Sequence, residues 1–311
     1  MILYQKDNWL QAIWYFHTGD TAKSLLKRLV WVLLYATLVS LFELTFFDLR
    51  LKNTPTEFLS AMGILLSLLL LFRTNTAYDR FYEGRRAWGT LVNNSRNLAA
   101  YVSALLPVER DADRRFYVKA IANFAFALKN HLRNDRVANG SDLEEAEHGQ
   151  VSALNLYDHV PNGVVLQMQQ RTEQLYREGV FSDPQLINLN NLIMVFLDVA
   201  GICERIRSTP IPFSYSFFIK IFILFYIIIM PFTIVDEYGY LTIPAVMAVS
   251  YVLVGLEMIG EEIQEPFGLE RNNLPLHQLS QMIRINVHEL MHIQVPHIEK
   301  KAAKPRFTIV T

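Results

Sequence analysis

Residues 63–89 read GILLSLLLLFRTNTAYDRFYEGRRAWG, and their composition changes halfway along without a break. Gly63 to Phe72 carries no charge, whereas the second half holds Arg73, Asp79, Arg80, Glu83, Arg85 and Arg86. No proline and no turn signal separates Gly63 from Gly84. The pattern predicts one long helix that begins in hydrocarbon and continues into water. A soluble enzyme rarely needs such an element; a membrane protein with a large cytosolic part does.

The rest of the chain agrees. Of 311 residues, 51% are hydrophobic and 19% charged, against about 25% charged in an ordinary soluble domain. Apolar residues concentrate in four runs: Leu29–Phe47, Phe58–Phe72, Phe213–Phe232 and Leu241–Leu256, with Glu43 inside the first and Lys220 inside the third. A spanning helix needs roughly 20 apolar residues, with about 17 as the lower range. The first and third runs suffice alone, and the second and fourth with neutral flanking residues. The first run starts near Leu25 and is too long for a signal-peptide core, so it is expected to stay as a span.

Charge sets the expected orientation. Lys23, Lys27 and Arg28 precede the first run, Arg73, Arg80, Arg85 and Arg86 follow the second, and Arg205 and Arg207 precede the third. The link from Asp48 to Glu57 is mixed in charge, and the one around Asp236 and Glu237 has no basic residue. The positive-inside rule places both termini and the long middle segment in the cytoplasm, so the chain is expected to be a multi-pass protein of the cell inner membrane. The segments follow as 1–24 N-terminal, 25–47 first span, 57–89 second span running into the cytosol, 90–210 cytosolic helices, 213–232 third span, 240–258 fourth span and 259–311 C-terminal.

The middle reads as helix. Arg114–Arg133 puts Phe116, Ala120, Phe124, Ala127 and Leu128 near one face. Asn139–Gly149 reads as a loop, and Pro161, Asn162 and Gly163 as a break. Asp183 and Pro184 offer an N-cap oxygen and an N1 proline for a helix that stops before Ser208. No strand-rich region is expected.

The formal net charge of -1 points away from nucleic acid as a partner. Cys203 is the one cysteine, which excludes a disulfide framework and a four-cysteine zinc site, and its apolar helix suggests packing. Phosphate-loop, dinucleotide and serine-hydrolase motifs are missing from the sequence, as are histidines inside the spans, so no cofactor is expected. One enzymatic pattern remains: His288, Glu289, Leu290, Met291 and His292 spell H-E-x-x-H, which on a helix can hold zinc with the glutamate as base. A membrane metalloprotease also needs a third ligand and a cleft. His297 lies just beyond Pro296 and Glu299 is the last acid, so the expected reading is a solvated C-terminal helix. A membrane scaffold without activity is a further reading.

Two features bear on transport. Ile64, Leu68 and Phe72 recur every four residues on the uncharged second span, with Ser67 and Leu71 bordering that face; lipid, a bundle neighbour or a pore all suit such a row. Pro210 and Pro212 bracket Ile211 before the third span and hold it in a rigid extended bend; a plain helix boundary and a side chain held at an exit are both open. The stretch GEEIQEPFGLERNNLPL, Gly260–Leu276, carries four glutamates around a Pro-Phe-Gly turn, which acidic caps and turns explain more readily than an EF-hand.

Three stretches together, FRTNTAYDRFYEGRRAWG (Phe72–Gly89), CERIRSTPIPFSY (Cys203–Tyr215) and GEEIQEPFGLERNNLPL, resemble the bestrophin family over nearly the whole chain. The resemblance implies an all-α membrane protein with four transmembrane helices and a large cytosolic helical region. It also implies a homopentamer of identical subunits in the lipid bilayer around a central pore for monovalent ions. It places Ile64, Leu68 and Phe72 in the pore neck and Ile211, supported by Pro210 and Pro212, at a cytosolic aperture. Animal members bind calcium in a carboxylate run after Pro-Phe-Gly. Here that run is Leu269, Glu270, Arg271, Asn272 and Asn273, degenerate in its acids, so no bound metal is expected. The family passes anions or cations; chloride is the expectation because most members pass anions, with a sodium or potassium channel of the same fold as the alternative.

Overall fold

The computed structural model describes residues 2–4, 20–45, 56–135, 142–143, 157–270, 272–294 and 307–309. The Asp48–Glu57 link up to residue 55, the Asn139–Gly149 loop apart from residues 142–143, Arg271, Pro296, His297 and Glu299 lie outside the described residues. Eight helices follow one another: α1 Asp20–Thr45, α2 Thr56–Leu105, α3 Asp111–Leu132, α4 Val160–Arg177, α5 Asp183–Ser208, α6 Phe213–Tyr238, α7 Thr242–Ile263 and α8 Leu276–Leu290. Three-residue strands β1 (Ile2–Tyr4) and β2 (Phe307–Ile309) pair with each other. Nothing in the sequence reading anticipated that pairing, because runs of three residues have no readable period.

The chain divides into two compact units. One comprises residues 4–81 and 210–265, the other 1–3, 82–209 and 266–311. The chain passes between them within α2, which continues through Gly84 and Gly89 to Leu105, beyond the helix end read at Gly89. Gly84 is spared for packing rather than for a turn: a Cβ there would stand 3.1 Å from the Phe267 ring and 3.3 Å from Pro266.

The first unit holds α1, the first half of α2, α6 and α7. Its internal faces are narrow. Leu66 and Leu70 of α2 meet Ile219, Ile223 and Ile227 of α6 and Leu253 of α7, while Ala36 of α1 meets Leu59, Met230 and Val246. Its outer faces are apolar too: Trp31, Leu38, Ile64, Phe218, Phe225 and Val252 are all exposed. In water that surface would drive aggregation; in lipid it is solvated. These four helices make a multi-pass membrane protein, all-α in its spans. Pro231 sits inside α6, and Gly239, at φ 52°, turns α6 into a short 3-10 turn and then α7.

The other unit is the large cytosolic helical region. The sequence pattern gave α3 one buried face. Instead every residue from Ala120 to Asn130 is buried, and Phe116 is only half-buried. The reason is that α4, α5 and α8 all pack against α3, and alanines at 120, 122, 125 and 127 let them approach. Phe124 meets Phe196 of α5 edge-on at 4.9 Å, and the buried Tyr117 hydroxyl bonds Thr172 of α4 at 2.7 Å. Helix α5 has the length and composition of a span. Its buried row, Leu189, Ile193, Phe196, Val199, Cys203 and Ile206, covers α3 and α4, and moving it into lipid would strip them.

Two helix starts differ from the sequence reading. Pro161, Asn162 and Gly163 do not break the chain but form the first turn of α4, where proline costs no hydrogen bond; His159 caps it by accepting from Asn162 N. The cap of α5 is Ser182 rather than Asp183. Gln185 Oε1 accepts from Ser182 N at 2.8 Å, and the Asp183 carboxylate accepts from the Tyr176 hydroxyl.

His277 on α8 gives a pH prediction. Burial lowers its pKa from 6.5, and Lys129, Arg133 and Arg284 add to this against Asp142. Its Nε2 also meets Gln281. The unfolded chain therefore binds more protons than the folded one between 6.5 and the lowered value. Stability contributed here is complete above pH 6.5 and falls as pH drops through that window. Thermal melts across pH should show the loss, and His277→Gln should flatten it.

Candidate functional site

The membrane half of α2 decides what the first unit can offer a solute. Its buried row is Leu66, Leu70, Arg73 and Ala77. At about 100° per residue, Ile64, Leu68 and Phe72 lie on the opposite side, and they are 73%, 48% and 55% exposed. Ser67 does not leave its hydroxyl loose beside them; it donates to Gly63 O at 2.8 Å. The three side chains thus form an uncharged apolar row pointing away from the buried face of α2. Gly63 sets the approach behind that row, since a Cβ there would come within 2.8 Å of the Tyr226 hydroxyl on α6.

Arg73 follows Phe72 directly, yet it points the other way. Its side chain is 1% exposed and lies 3.2 Å from Glu257 Oε1 of α7, itself 3% exposed. In sequence the nearest acids that follow Arg73 are Asp79 and Glu83. Glu83 instead binds Arg205, and Arg73 turns inward because Ala77 and Gly260 leave room for it. Glu257 also collects Lys220 of α6 at 3.5 Å and Arg28 of α1 at 3.8 Å, and Lys220 reaches Glu261 at 2.7 Å. Each of the four membrane helices therefore contributes a charge to one cluster. In the sequence Glu257 is simply the first acid after the fourth apolar run. The missed signal was that Arg28, Arg73, Lys220 and Glu257 each stand at the same end of an antiparallel span.

Ile211 is half-buried between the exposed Pro210 and Pro212, in the extended link after α5. Pro212, with φ -53° and ψ 130°, caps α6, and its carbonyl accepts from Tyr215 N and Ser216 N. In the cytosolic unit, the Pro-Phe-Gly turn is closed by Leu274 N donating to Pro266 O at 2.8 Å and Asn273 N to Glu270 O at 3.1 Å. Leu269, Glu270 and Asn272 are exposed, and Asn273 is buried. Among the described residues, the group close enough to share a metal is elsewhere: His131, His159 and Glu204.

The H-E-x-x-H pattern does not form a zinc site. Helix α8 ends at Leu290, and His292 has left it at φ 57°, so the two histidines do not share a helix face. His288 is buried, with Nδ1 at 2.8 Å from Arg284 O. Cys203 is no nucleophile either: burial pushes its thiol up to about 12.

An all-α bundle with four crossings and a large cytosolic helical region defines the class. The bacterial/fungal bestrophin family model matches residues 1–289, and the chain belongs to that family, which is non-enzymatic. A voltage-dependent anion channel-forming protein of Nostoc sp. is 34% identical over 290 residues, covering 92% of each chain. One of Escherichia coli K12 is 30% identical over 289 residues, covering 92% of this chain and 93% of that one. A solved bacterial bestrophin homologue from Klebsiella pneumoniae superposes with TM-score 0.79 at 26% identity, covering 86% of this chain and 99% of that one.

Removing one partner from a buried ion pair leaves a bare charge, at roughly 3–5 kcal/mol. Glu257→Ala is therefore expected to lower unfolding stability by that order in detergent melts, with Lys220→Ala, at the exposed edge, costing much less. Equal small effects would show the cluster to be solvated.

Proposed function

We propose that the chain is a bestrophin-type channel that passes small monovalent ions, chloride foremost, through a homopentamer of identical subunits. The observation that carries this reading is the row Ile64, Leu68 and Phe72, turned away from the subunit's own packing face on an uncharged stretch of α2. Five such helices in cyclic symmetry enclose a neck. A ring of these side chains holds water poorly, and an ion entering it loses part of its hydration shell, so the neck acts as a hydrophobic constriction. Ile211, held by Pro210 and Pro212, forms the second constriction, the aperture. Glu270, Asn272 and Asn273 lie in a turn that offers one carboxylate among them.

The anion preference rests on the relatives named anion channel-forming proteins and agrees with the cation excess of the cluster behind the neck. The crossings run through 25–47, 213–232, 240–258 and the α2 segment from 57, in the inner membrane. Basic residues before the first span, after the second and before the third, with β1 and β2 paired, support both termini on the cytoplasmic side.

Phe72→Ala or Leu68→Ala is expected to raise conductance or open probability in planar bilayers, and Ile211→Ala to raise current with less effect on gating. If the row packs against neighbours instead, current stays unchanged and stability falls by about 2–5 kcal/mol, which sinks the pore assignment. Native mass spectrometry should show a pentamer. Reversal potentials in a potassium chloride gradient read the ion sign directly: a shift toward the potassium potential makes this a cation channel, and no flux of any ion leaves a scaffold.

A further inference from the structure

Three metal-capable side chains meet in the cytosolic unit, and the conduction path does not use them. His131 comes from the last turn of α3, His159 is the N-cap of α4, and Glu204 belongs to the last turns of α5. One ligand atom from each lies within 4.8 Å of the others. Glu204 Oε1 is 3.1 Å from His131 Nε2 and also contacts His159 Nε2. The two imidazole rings stand 4.3 Å apart, centre to centre. The side chains are 27%, 29% and 35% exposed, so an ion and a water have access from one side.

We propose that this cluster binds one zinc ion per subunit through Nε2 of His131, Nε2 of His159 and the Glu204 carboxylate, with water in the fourth position. Two imidazoles and a carboxylate are a zinc donor set with an open position. Ligands about 2.0–2.1 Å from zinc stand roughly 3.3 Å apart in a tetrahedron, close to the separation of His131 from Glu204. The carboxylate supplies the negative charge. The backbone carbonyl of His131 is fixed by Arg207 at 2.8 Å, which holds the end of α3 in place.

The metal-free arrangement shows what loading requires. His159 Nδ1 accepts from Asn162 N at 3.2 Å, so the ring carries its proton on Nε2 and donates it to Glu204. Ligation by Nε2 transfers that proton to Nδ1 and forfeits the bond from Asn162, which is long and weak. No net proton is lost from the neutral ring. The site is thus reversible, with moderate affinity, unlike a closed structural site of cysteine thiolates. A loaded ion ties α3, α4 and α5 together, and ligand binding to the folded state alone raises its stability by mass action.

The test uses the full chain in detergent, stripped with chelator and titrated with zinc chloride alone. The expected result is one zinc per subunit after desalting and a rise in melting temperature. Glu204→Gln and His131→Asn should each lower affinity on the order of 100-fold and remove the melting shift, while His292→Asn, outside the cluster, changes neither. Should Glu204→Gln fail to fold, His131→Asn carries the test, because it removes a neutral ring that keeps partial access to solvent. Cobalt(II) in place of zinc should give the intense visible absorption of a four-coordinate site, lost in the same variants. No retained zinc, or stoichiometry and melting shift unchanged in the cluster variants, overturns the assignment.

Discussion

The membrane unit depends on one buried carboxylate. Glu257 draws Arg73 out of solvent and gathers Lys220 and Arg28 beside it. An isolated charge in this position would cost several kcal/mol, so the helices must close around the pair or not form the bundle. That requirement fixes the rotation of α2. With Arg73 inward, Leu66, Leu70 and Ala77 follow it inward at helical spacing, and Ile64, Leu68 and Phe72 are turned outward. The row proposed for conduction is therefore oriented by a charge on the opposite face of α2.

The cluster also explains which parts of the fold were legible from sequence. Lipid imposes a length and a composition, so α1 and α6 declare themselves as apolar runs. The second and fourth runs read as short because each ends in a member of the ion cluster, Arg73 and Glu257. Their pairing was not legible, since a residue in an acidic or basic flank looks alike whether it faces water or its partner. Resemblance to a family supplied the roles of Ile64, Leu68, Phe72 and Ile211, which spacing alone left open.

The cytosolic unit was harder to read for a different reason. Helix α3 is covered on every side, so its polar residues do not mark a solvent face and the period of burial vanishes. Asn123, Lys129 and Asn130 are buried there; Lys129 is held by Asp142 and lies over the Phe126 ring. The grouping of His131, His159 and Glu204 was invisible for a simpler reason. The three residues are far apart in sequence and come from three helices, one of which begins where Pro161, Asn162 and Gly163 read as a break.

Charge balance links the cluster to ion choice. Arg28, Arg73 and Lys220 face Glu257 and Glu261, three cations against two carboxylates. Arg73 alone cannot select anions, because its charge is buried and matched by Glu257. The excess instead sits with Arg28 and Lys220, at the more exposed edge of the same cluster. In the proposed pentamer, a surplus of one positive charge in each copy of this cluster would raise the potential around the proposed neck without placing any charge in it. Ion sign would then follow from a field that salt screens over about 10 Å at 0.1 M, while the barrier to passage follows from the apolar row. Separating the two would let the proposed neck stay free of charge, so that an ion crossing it would meet no fixed charge strong enough to trap it.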